Sequence, residues 1–504
     1  MDVFSQALSN LLSIQTLLFV LGGVAVGIAI GALPGLTATM GVALLLPLTF
    51  GMEAQNGILM LLGIYAGAIY GGSITAILLK TPGTPAAAAT VLDGYALASK
   101  GEPGRALGIS TFSSTIGGVI SALLLMFVSP FLAKFALKFG ATEYCALAVF
   151  GISIIASISG KSILKGLIAG GIGLALSTIG LDPINATPRF TFGSINLYSG
   201  FSFVPVMIGL FAMSQVLLML EGEMTSEKFD TKKIKRVFPT WADIRQILPT
   251  VIRSGIIGTF IGSIPGAGTD IGAFVSYNEA KRWSKHKEEF GNGAIEGIAA
   301  PEAGNNGVTG GAMIPLLTLG IPGDAVAAIM LGALTIQGLQ PGPLLFTNNG
   351  VMMYTIFIGF LLANVCLMIL GMSGIRLFTK ITQIPRFILM PVIMLLCIVG
   401  SFAINNSMFD VYVMFGAGIL GFFMTKIEIP TSPLILALIL GSMAESNFRR
   451  SLLLFNGSFS QFLTRPITVF FLAAALITLF TPMIGRAIKL AKSKKNIPQN
   501  EENV

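Results

Sequence analysis

The chain has one histidine and three cysteines in 504 residues, and only 11% of its residues are charged. Each shortage closes off a kind of chemistry. The single histidine, His286, lies in the hydrophilic run Lys285-His286-Lys287-Glu288 and is expected to be a solvated loop residue. No histidine is left for a proton relay inside an apolar segment, a metal-bound site or a Ser/His catalytic pair. Cys145, Cys366 and Cys397 stand far apart in apolar runs, without a zinc or redox spacing, and are expected to be small buried hydrophobes. The Gly-x-x-x-x-Gly-Lys-Ser/Thr phosphate loop is missing, so ATP hydrolysis on this chain is not expected. A soluble domain carries about 25% charged residues. With 54% hydrophobic residues and a mean hydropathy of +0.83, this sequence lacks the polar surface to stay in water. It reads as an all-α, polytopic integral membrane protein that moves something rather than converting it.

The net charge of +8 does not point to nucleic acid, because no RRM- or helix-turn-helix-like pattern accompanies it. The basic residues gather between apolar segments, at Lys232-Lys233-Ile234-Lys235-Arg236, at Lys281-Arg282-Trp283-Ser284-Lys285 and from Lys489 to Lys495. Positive-inside flanks look like this. The start, Met1-Asp2-Val3-Phe4, lacks the basic n-region of a cleaved signal peptide, so the first apolar run is expected to remain as a membrane segment.

Apolar runs long enough to span a bilayer, roughly 17–25 residues, recur almost end to end. They include Leu11–Leu33, Gly57–Leu79, Ala106–Phe127, Met352–Phe378 and Phe387–Ile404. Residues 1–220 are expected to form a first transmembrane repeat and 247–490 a second. Between them lies a polar cytoplasmic linker, 221–246, and 491–504 form a polar tail expected to be disordered.

The chain says similar things twice. Gly31, Pro34, Gly35 and Gly41 align on Gly262, Pro265, Gly266 and Gly272. Further on, Gly67 and Gly71 align on Gly307 and Gly311, and Pro82-Gly83 on Pro322-Gly323. Pro-Gly within an apolar run frees backbone groups that lipid cannot satisfy, so it survives only where it lines a cavity. Paired, helix-broken segments in two halves of an apolar chain point to a transporter's substrate site. The flanks Met1–Asn10 and Gly51–Asn56 hold no Lys or Arg, whereas the flanks of the second copy hold Lys232 to Arg253 and Lys281 to Lys287. The two copies are therefore expected to face opposite sides of the membrane, as inverted-topology halves whose broken helices meet at a midplane site. The basic Lys100 and Arg105 leave the path of the segment between 57 and 104 open.

Two chemistries can be read at the breaks. Ser73, Thr75, Lys80, Thr81 and Thr84 end an apolar helix on hydroxyls and one lysine, and the helix restarts after Pro82-Gly83. A charge at bilayer depth costs about 2.5–3.5 kcal/mol, so Lys80 either faces a partner or cavity or snorkels to the interface. With the free N–H groups of a restarting helix it describes a receptor for an anion. Pro34, Gly35, Gly83, Pro265, Gly266, Pro322 and Gly323 would line the same substrate site. The second copy carries oxygen ligands instead: Asp270, Glu302, Asn305, Asn306 and Asp324. These residue types coordinate Na⁺ in broken-helix transporters or relay protons. Asp324 can equally be a helix N-cap.

The chain carries the motifs Gly31-Ala-Leu-Pro-Gly-Leu36, Tyr70-Gly-Gly-Ser-Ile-Thr75, Thr81-Pro-Gly-Thr-Pro85, Gly266-Ala-Gly-Thr-Asp270, Pro301-Glu-Ala-Gly-Asn-Asn306 and Gly320-Ile-Pro-Gly323. This set resembles the large membrane subunit of bacterial tripartite tricarboxylate transporters, the TctA family. The resemblance implies a secondary transporter of the inner membrane that imports carboxylates such as citrate on a Na⁺ or H⁺ gradient, without a cofactor. It implies two partners, a small membrane subunit and a periplasmic solute-binding protein. An elevator-type motion follows by analogy with other carboxylate carriers. The rival expectations are a channel or membrane scaffold without coupled transport, and a carrier of a non-carboxylate solute.

Overall fold

The computed structural model describes residues 3–33, 35–158, 162–221, 234 and 237–479. Pro34, most of the linker expected at 221–246 and the expected polar tail lie outside the described residues. The chain is built from helices, in the order α1 (Val3–Leu11), α2 (Ile14–Gly31), α3 (Ala38–Leu45), α4 (Ala54–Leu79), α5 (Ala88–Ser99), α6 (Pro103–Ala136), α7 (Ala141–Ile158) and α8 (Ile163–Ser177). A two-residue antiparallel pair follows, β1 (Gly180–Leu181) with β2 (Pro188–Arg189). Then come α9 (Phe203–Met207), which runs through a π turn (Ile208–Met213) into α10 (Ser214–Glu221), α11 (Trp241–Gly262), α12 (Thr269–Trp283), α13 (Ile295–Leu319), α14 (Ala325–Ile336) and α15 (Pro343–Asn348). The chain continues through α16 (Gly350–Ile381), α17 (Arg386–Asn405), α18 (Met408–Lys426) and α19 (Ser432–Leu454) to α20 (Pro466–Leu479).

Among the described residues, seven helices are long and apolar enough to cross a membrane, and five shorter apolar helices accompany them. The apolar stretch Ala38–Thr49 is one of the short ones. Thr37 caps α3 by accepting a hydrogen bond from the Met40 N–H, and Pro47 turns its far end into a 3₁₀ turn. His286 is exposed and the three cysteines are buried, both as expected.

The helices gather into two compact units, each drawing on both halves of the sequence. The first comprises Met1–Lys138 and Phe201–Lys426, the second Phe139–Gly200 and Ile427–Val504. In the second unit, α7 and α8 pack on α19, and a Cβ on Gly173 would stand 2.2 Å from the Leu434 carbonyl oxygen. The β1–β2 hairpin of that unit is tied down by charge. Arg449 reaches Asp182 at 2.6 Å, and Arg189 and Arg449 reach Glu445 at 2.5 and 2.9 Å.

In the first unit the duplicated motif packs the same way twice. Helix α2 lies against α4, and α11 against α13, backbone to backbone through small residues. A Cβ on Gly71 would stand 2.4 Å from the Ile28 carbonyl oxygen, and one on the aligned Gly311 2.3 Å from the Thr259 oxygen. Likewise Gly31 abuts Ala68, and the aligned Gly262 abuts the aligned Val308. Contacts that recur pair by pair at this closeness are those of a duplicated structural unit. Helix α6 runs along α13, with Gly117 on the backbone of Ala303, and so brings its own polar face to the second copy.

Candidate functional site

Gly35, Gly83, Gly266 and Gly323 all lie in the first unit, and in each copy the second break packs on the end of the helix that precedes the first. A Cβ on Gly83 would come within 2.2 Å of the Gly31 carbonyl oxygen, and one on Gly323 within 2.3 Å of the Gly262 oxygen. The Gly266 N–H donates to the Gly323 carbonyl at 2.5 Å, closing the second pair. Gly35 and Gly266 both take positive φ, +90° and +80°, at aligned positions. The two long helices end alike as well. Lys80 closes α4 at φ +59° and the aligned Gly320 closes α13 at φ +72°.

Across the copies, side chains of α4 and α13 reach the opposite break. The Tyr65 hydroxyl donates to Asp324 Oδ2, while Asp324 Oδ1 accepts from the Ala327 N–H at 2.8 Å and so caps α14. Asn305, which aligns on Tyr65, donates through Nδ2 to the Ala86 carbonyl at 3.3 Å, in the turn that opens α5. Asn306 Nδ2 donates to the Ala66 carbonyl at 3.2 Å, joining two aligned positions to each other. Thr84 Oγ1, Asn305 Oδ1 and Asn306 Oδ1 are buried and find no hydrogen-bond partner among the described residues.

Glu302 is fully buried one turn before the paired asparagines. Thr90 of α5 donates to its Oε1 at 2.5 Å, and Ser114 and Ser110 of α6 donate to its Oε2 at 2.8 and 3.1 Å. Ser73 of α4 extends the cluster through a 2.7 Å hydrogen bond to Ser110. Among the described residues no basic side chain pairs with Glu302. Three hydroxyls soften the desolvation of a buried carboxylate without neutralising it.

The remaining expected residues divide between the interior and the rim. Thr75 is buried, and a Cβ on Gly83 would stand 2.8 Å from its Oγ1. Lys80 and Thr81 are exposed, and Lys80 Nζ sits 5.5 Å above the ring of Tyr95 on α5. Asp270 is exposed in the first turn of α12. Pro265 and Pro322 stand beside the glycines of their own breaks.

Several partners of these residues went unread in the sequence. Ser110 and Ser114 belong to the run Ser110-Thr-Phe-Ser-Ser-Thr115, an unusual density of hydroxyls for an apolar helix, which was the available signal. Tyr65 and Thr90 carry no such flag. Asp93 is another such residue. Its Oδ1 accepts from the N–H groups of Gly291, Gly293 and Ala294, each at 2.8 Å, and its Oδ2 accepts from the Tyr277 hydroxyl at 2.9 Å. It fastens α5 to the entrance of α13, on which Glu302 and both asparagines ride.

Broken helices in duplicate, buried hydroxyls around an unpaired carboxylate and a series of apolar spans define a multi-pass membrane protein of the transporter class. Residues 17–436 match the tripartite tricarboxylate transporter TctA family, and the chain belongs to that family. It is 40% identical over 457 residues to an uncharacterized 52.8 kDa protein in the TAR-I ttuC' 3'region of Agrobacterium vitis, a match covering 90% of each chain. It is 37% identical over 227 residues to an uncharacterized protein in the TAR-II ttuC' 3'region of the same organism, covering 45% of this chain and 94% of that one. No solved structure matches the chain.

Proposed function

We propose that the chain is the large membrane subunit of a binding-protein-dependent secondary transporter in the bacterial inner membrane. It imports tricarboxylates or related carboxylates, works with a small membrane subunit and a periplasmic solute-binding protein, and draws on a Na⁺ or H⁺ gradient. Family membership supports the transport class and the partners. The observation that carries coupling is Glu302, buried among Thr90, Ser110 and Ser114 without a basic partner. Glu302, Asn305, Asn306 and Asp324, with Asp270 at the rim, hold the coupled cation. Ser73, Thr75, Thr81 and Thr84 serve the substrate together with Lys80 and the Pro-Gly turns at Pro34, Gly35, Gly83, Pro265, Gly266, Pro322 and Gly323.

The halves are inverted in this reading. Tyr65 reaches the break of the second copy, and its counterpart Asn305 reaches the break of the first. Reciprocal contacts of this kind belong to a two-fold arrangement. The charge difference between the flanks supports an axis in the membrane plane. A paired-break core of this construction suits an elevator-type carrier, in which it would move as a body.

The test is uptake of labelled citrate and smaller carboxylates by cells expressing all three subunits, with a Na⁺ gradient alone and an H⁺ gradient alone. Accumulation above equilibrium under one gradient supports the reading and names the cation. Equilibration without accumulation means a channel, and no flux of any carboxylate removes the substrate class.

A further inference from the structure

The helices that follow the second break of each copy, α5 and α14, are each fastened to the opposite copy, and the two fastenings are unequal. The end of α14 reaches the entrance of α4, where Gln337 Nε2 donates to the Thr49 carbonyl at 2.8 Å. A Cβ on Gly57, in the first turn of α4, would stand 3.3 Å from that Nε2. Among the described residues this one neutral hydrogen bond is the side-chain tie at that end. Reciprocally, α5 reaches the entrance of α13, and there the tie is a fully buried carboxylate. Asp93 holds the N–H groups of Gly291, Gly293 and Ala294 together with the Tyr277 hydroxyl. Lys100 Nζ adds a 2.6 Å hydrogen bond to the Asn292 carbonyl. Backbone N–H groups bond a carboxylate about twice as strongly as a neutral acceptor. The corresponding stretch of α14, Leu331-Gly332-Ala333, offers no carboxylate. Behind the α5 tie lies a closed apolar cluster in which Ala89 of α5 joins Tyr277, Ala280 and Phe290.

We infer that the two ties are the gates of the carrier and that Asp93 is the latch of the firmer one. The α14 end yields first, and the α5 end stays shut until Asp93 gives up its N–H groups. The basic run Lys281–Lys287 leads into the latch, whereas the other tie adjoins the flank Gly51–Asn56, which has no Lys or Arg. In the inverted reading the latch therefore faces the cytoplasm and the weaker tie the periplasm. That bias suits a carrier loaded from a periplasmic binding protein: the outer end opens to admit substrate while the inner end is held. Release then requires α5 to part from the loop before α13, which uncovers the cluster around Ala280. This inference rests on the carrier reading and adds which gate is held and by which residue.

The experiment follows the rate at which a membrane-permeant maleimide labels one introduced cysteine in cells expressing all three subunits. Ala280→Cys reports behind the latch, and Ala333→Cys, one turn before Gln337, reports at the other tie; both alanines are 1% exposed. Each is measured against the same protein without the introduced cysteine, which subtracts the native thiols. Asp93→Asn keeps the shape of the latch and removes its charge. It should raise labelling at Ala280→Cys about tenfold and lower it at Ala333→Cys, because the two gates share one equilibrium. Gln337→Leu should shift both rates the other way. A purely structural fastener, once weakened, would raise labelling at Ala280→Cys and leave Ala333→Cys unchanged; that result, or no change at either position, overturns the latch. If Asp93→Asn does not reach the membrane, Tyr277→Phe, which removes one donor, decides by the same signs. Carboxylate uptake is scored separately. Uptake without reciprocal labelling overturns the latch and leaves the carrier reading standing, whereas reciprocal labelling without uptake supports the latch and removes the carboxylate.

Discussion

The Tyr65 hydroxyl donates to the Asp324 carboxylate, so α4 of one copy holds the helix restart of the other. Both residues are buried, and the contact joins the two halves at the level of the breaks. Replacing Tyr65 by Phe removes the donor and leaves one Asp324 oxygen unsatisfied, which should cost about 1–3 kcal/mol. The loss should appear as a lower unfolding temperature of the purified protein. KM for substrate should stay close to wild type, because Tyr65 serves the chain's own carboxylate. A Tyr65→Phe variant with wild-type thermal stability would show that the contact contributes nothing.

Glu302→Gln keeps the size of the side chain and can still meet the hydroxyls of Thr90, Ser110 and Ser114, but it removes the negative charge. Expression and unfolding temperature should stay close to wild type, while the dependence of uptake on its driving cation should weaken. Glu302→Ala instead leaves the buried hydroxyls of Thr90 and Ser114 unpartnered and should lower membrane levels, at about 1 kcal/mol or more for each orphaned group. Wild-type cation dependence in a well-expressed Glu302→Gln would remove Glu302 from coupling.

Much of this was legible beforehand because Pro and Gly report backbone geometry directly. The aligned pairs Gly35/Gly266 and Gly83/Gly323 marked both breaks of both copies, and their positive φ or close approaches are what the residue type demands. Glu302 stood out because a carboxylate in an apolar run is costly wherever it sits. Its partners did not. Thr90 and Ser114 lie roughly 200 residues away in sequence, and a hydroxyl in a membrane helix commonly bonds its own preceding turn, as Thr111 does with Leu107. Only packing distinguishes the two uses. Asp93 was hidden for a similar reason: its ligands are backbone N–H groups, which no sequence pattern marks.

Lys80 tests a substitution that the chain already contains. Gly320 occupies the aligned position with the same left-handed backbone, so Lys80→Gly should keep the turn and relieve about 1 kcal/mol of strain. A variant that is as stable as wild type or more so, yet shows a strongly raised KM, would assign the ammonium to the substrate. An unchanged KM would leave Lys80 as a side chain lying over Tyr95 at the rim.

Gly71→Ala and Gly311→Ala should behave as a pair. Each added methyl meets a backbone carbonyl oxygen, at 2.4 Å and 2.3 Å, and backbone at a helix crossing cannot step aside as a flexible side chain can. Overpacking of this kind costs about 1–3 kcal/mol. Equal losses of thermal stability in the two variants are expected from the duplicated packing. A loss confined to one would show that the two crossings, though alike in contact, differ in how they yield.

The last prediction concerns the second unit, where Asp182 lies in the hairpin loop outside the spanning helices. The N–H groups of Asn185 and Ile184 donate to its Oδ1, at 2.9 and 3.0 Å, and with Arg449 and Arg189 they hold its carboxyl below the ordinary carboxylate value. A depressed folded-state value means that the unfolded chain binds the proton more readily. The stabilisation is therefore present above the unfolded value, about pH 4, and is lost as pH falls through the lower folded value. Asp182→Asn can still accept the two N–H bonds but carries no charge to titrate. Unfolding temperature measured against pH should fall less steeply in acid for Asp182→Asn than for wild type. Near pH 7 the variant should be the less stable of the two, because Arg449 and Arg189 lose their shared carboxylate. Parallel curves across the acid range would show that Asp182 titrates alike in the folded and unfolded chains.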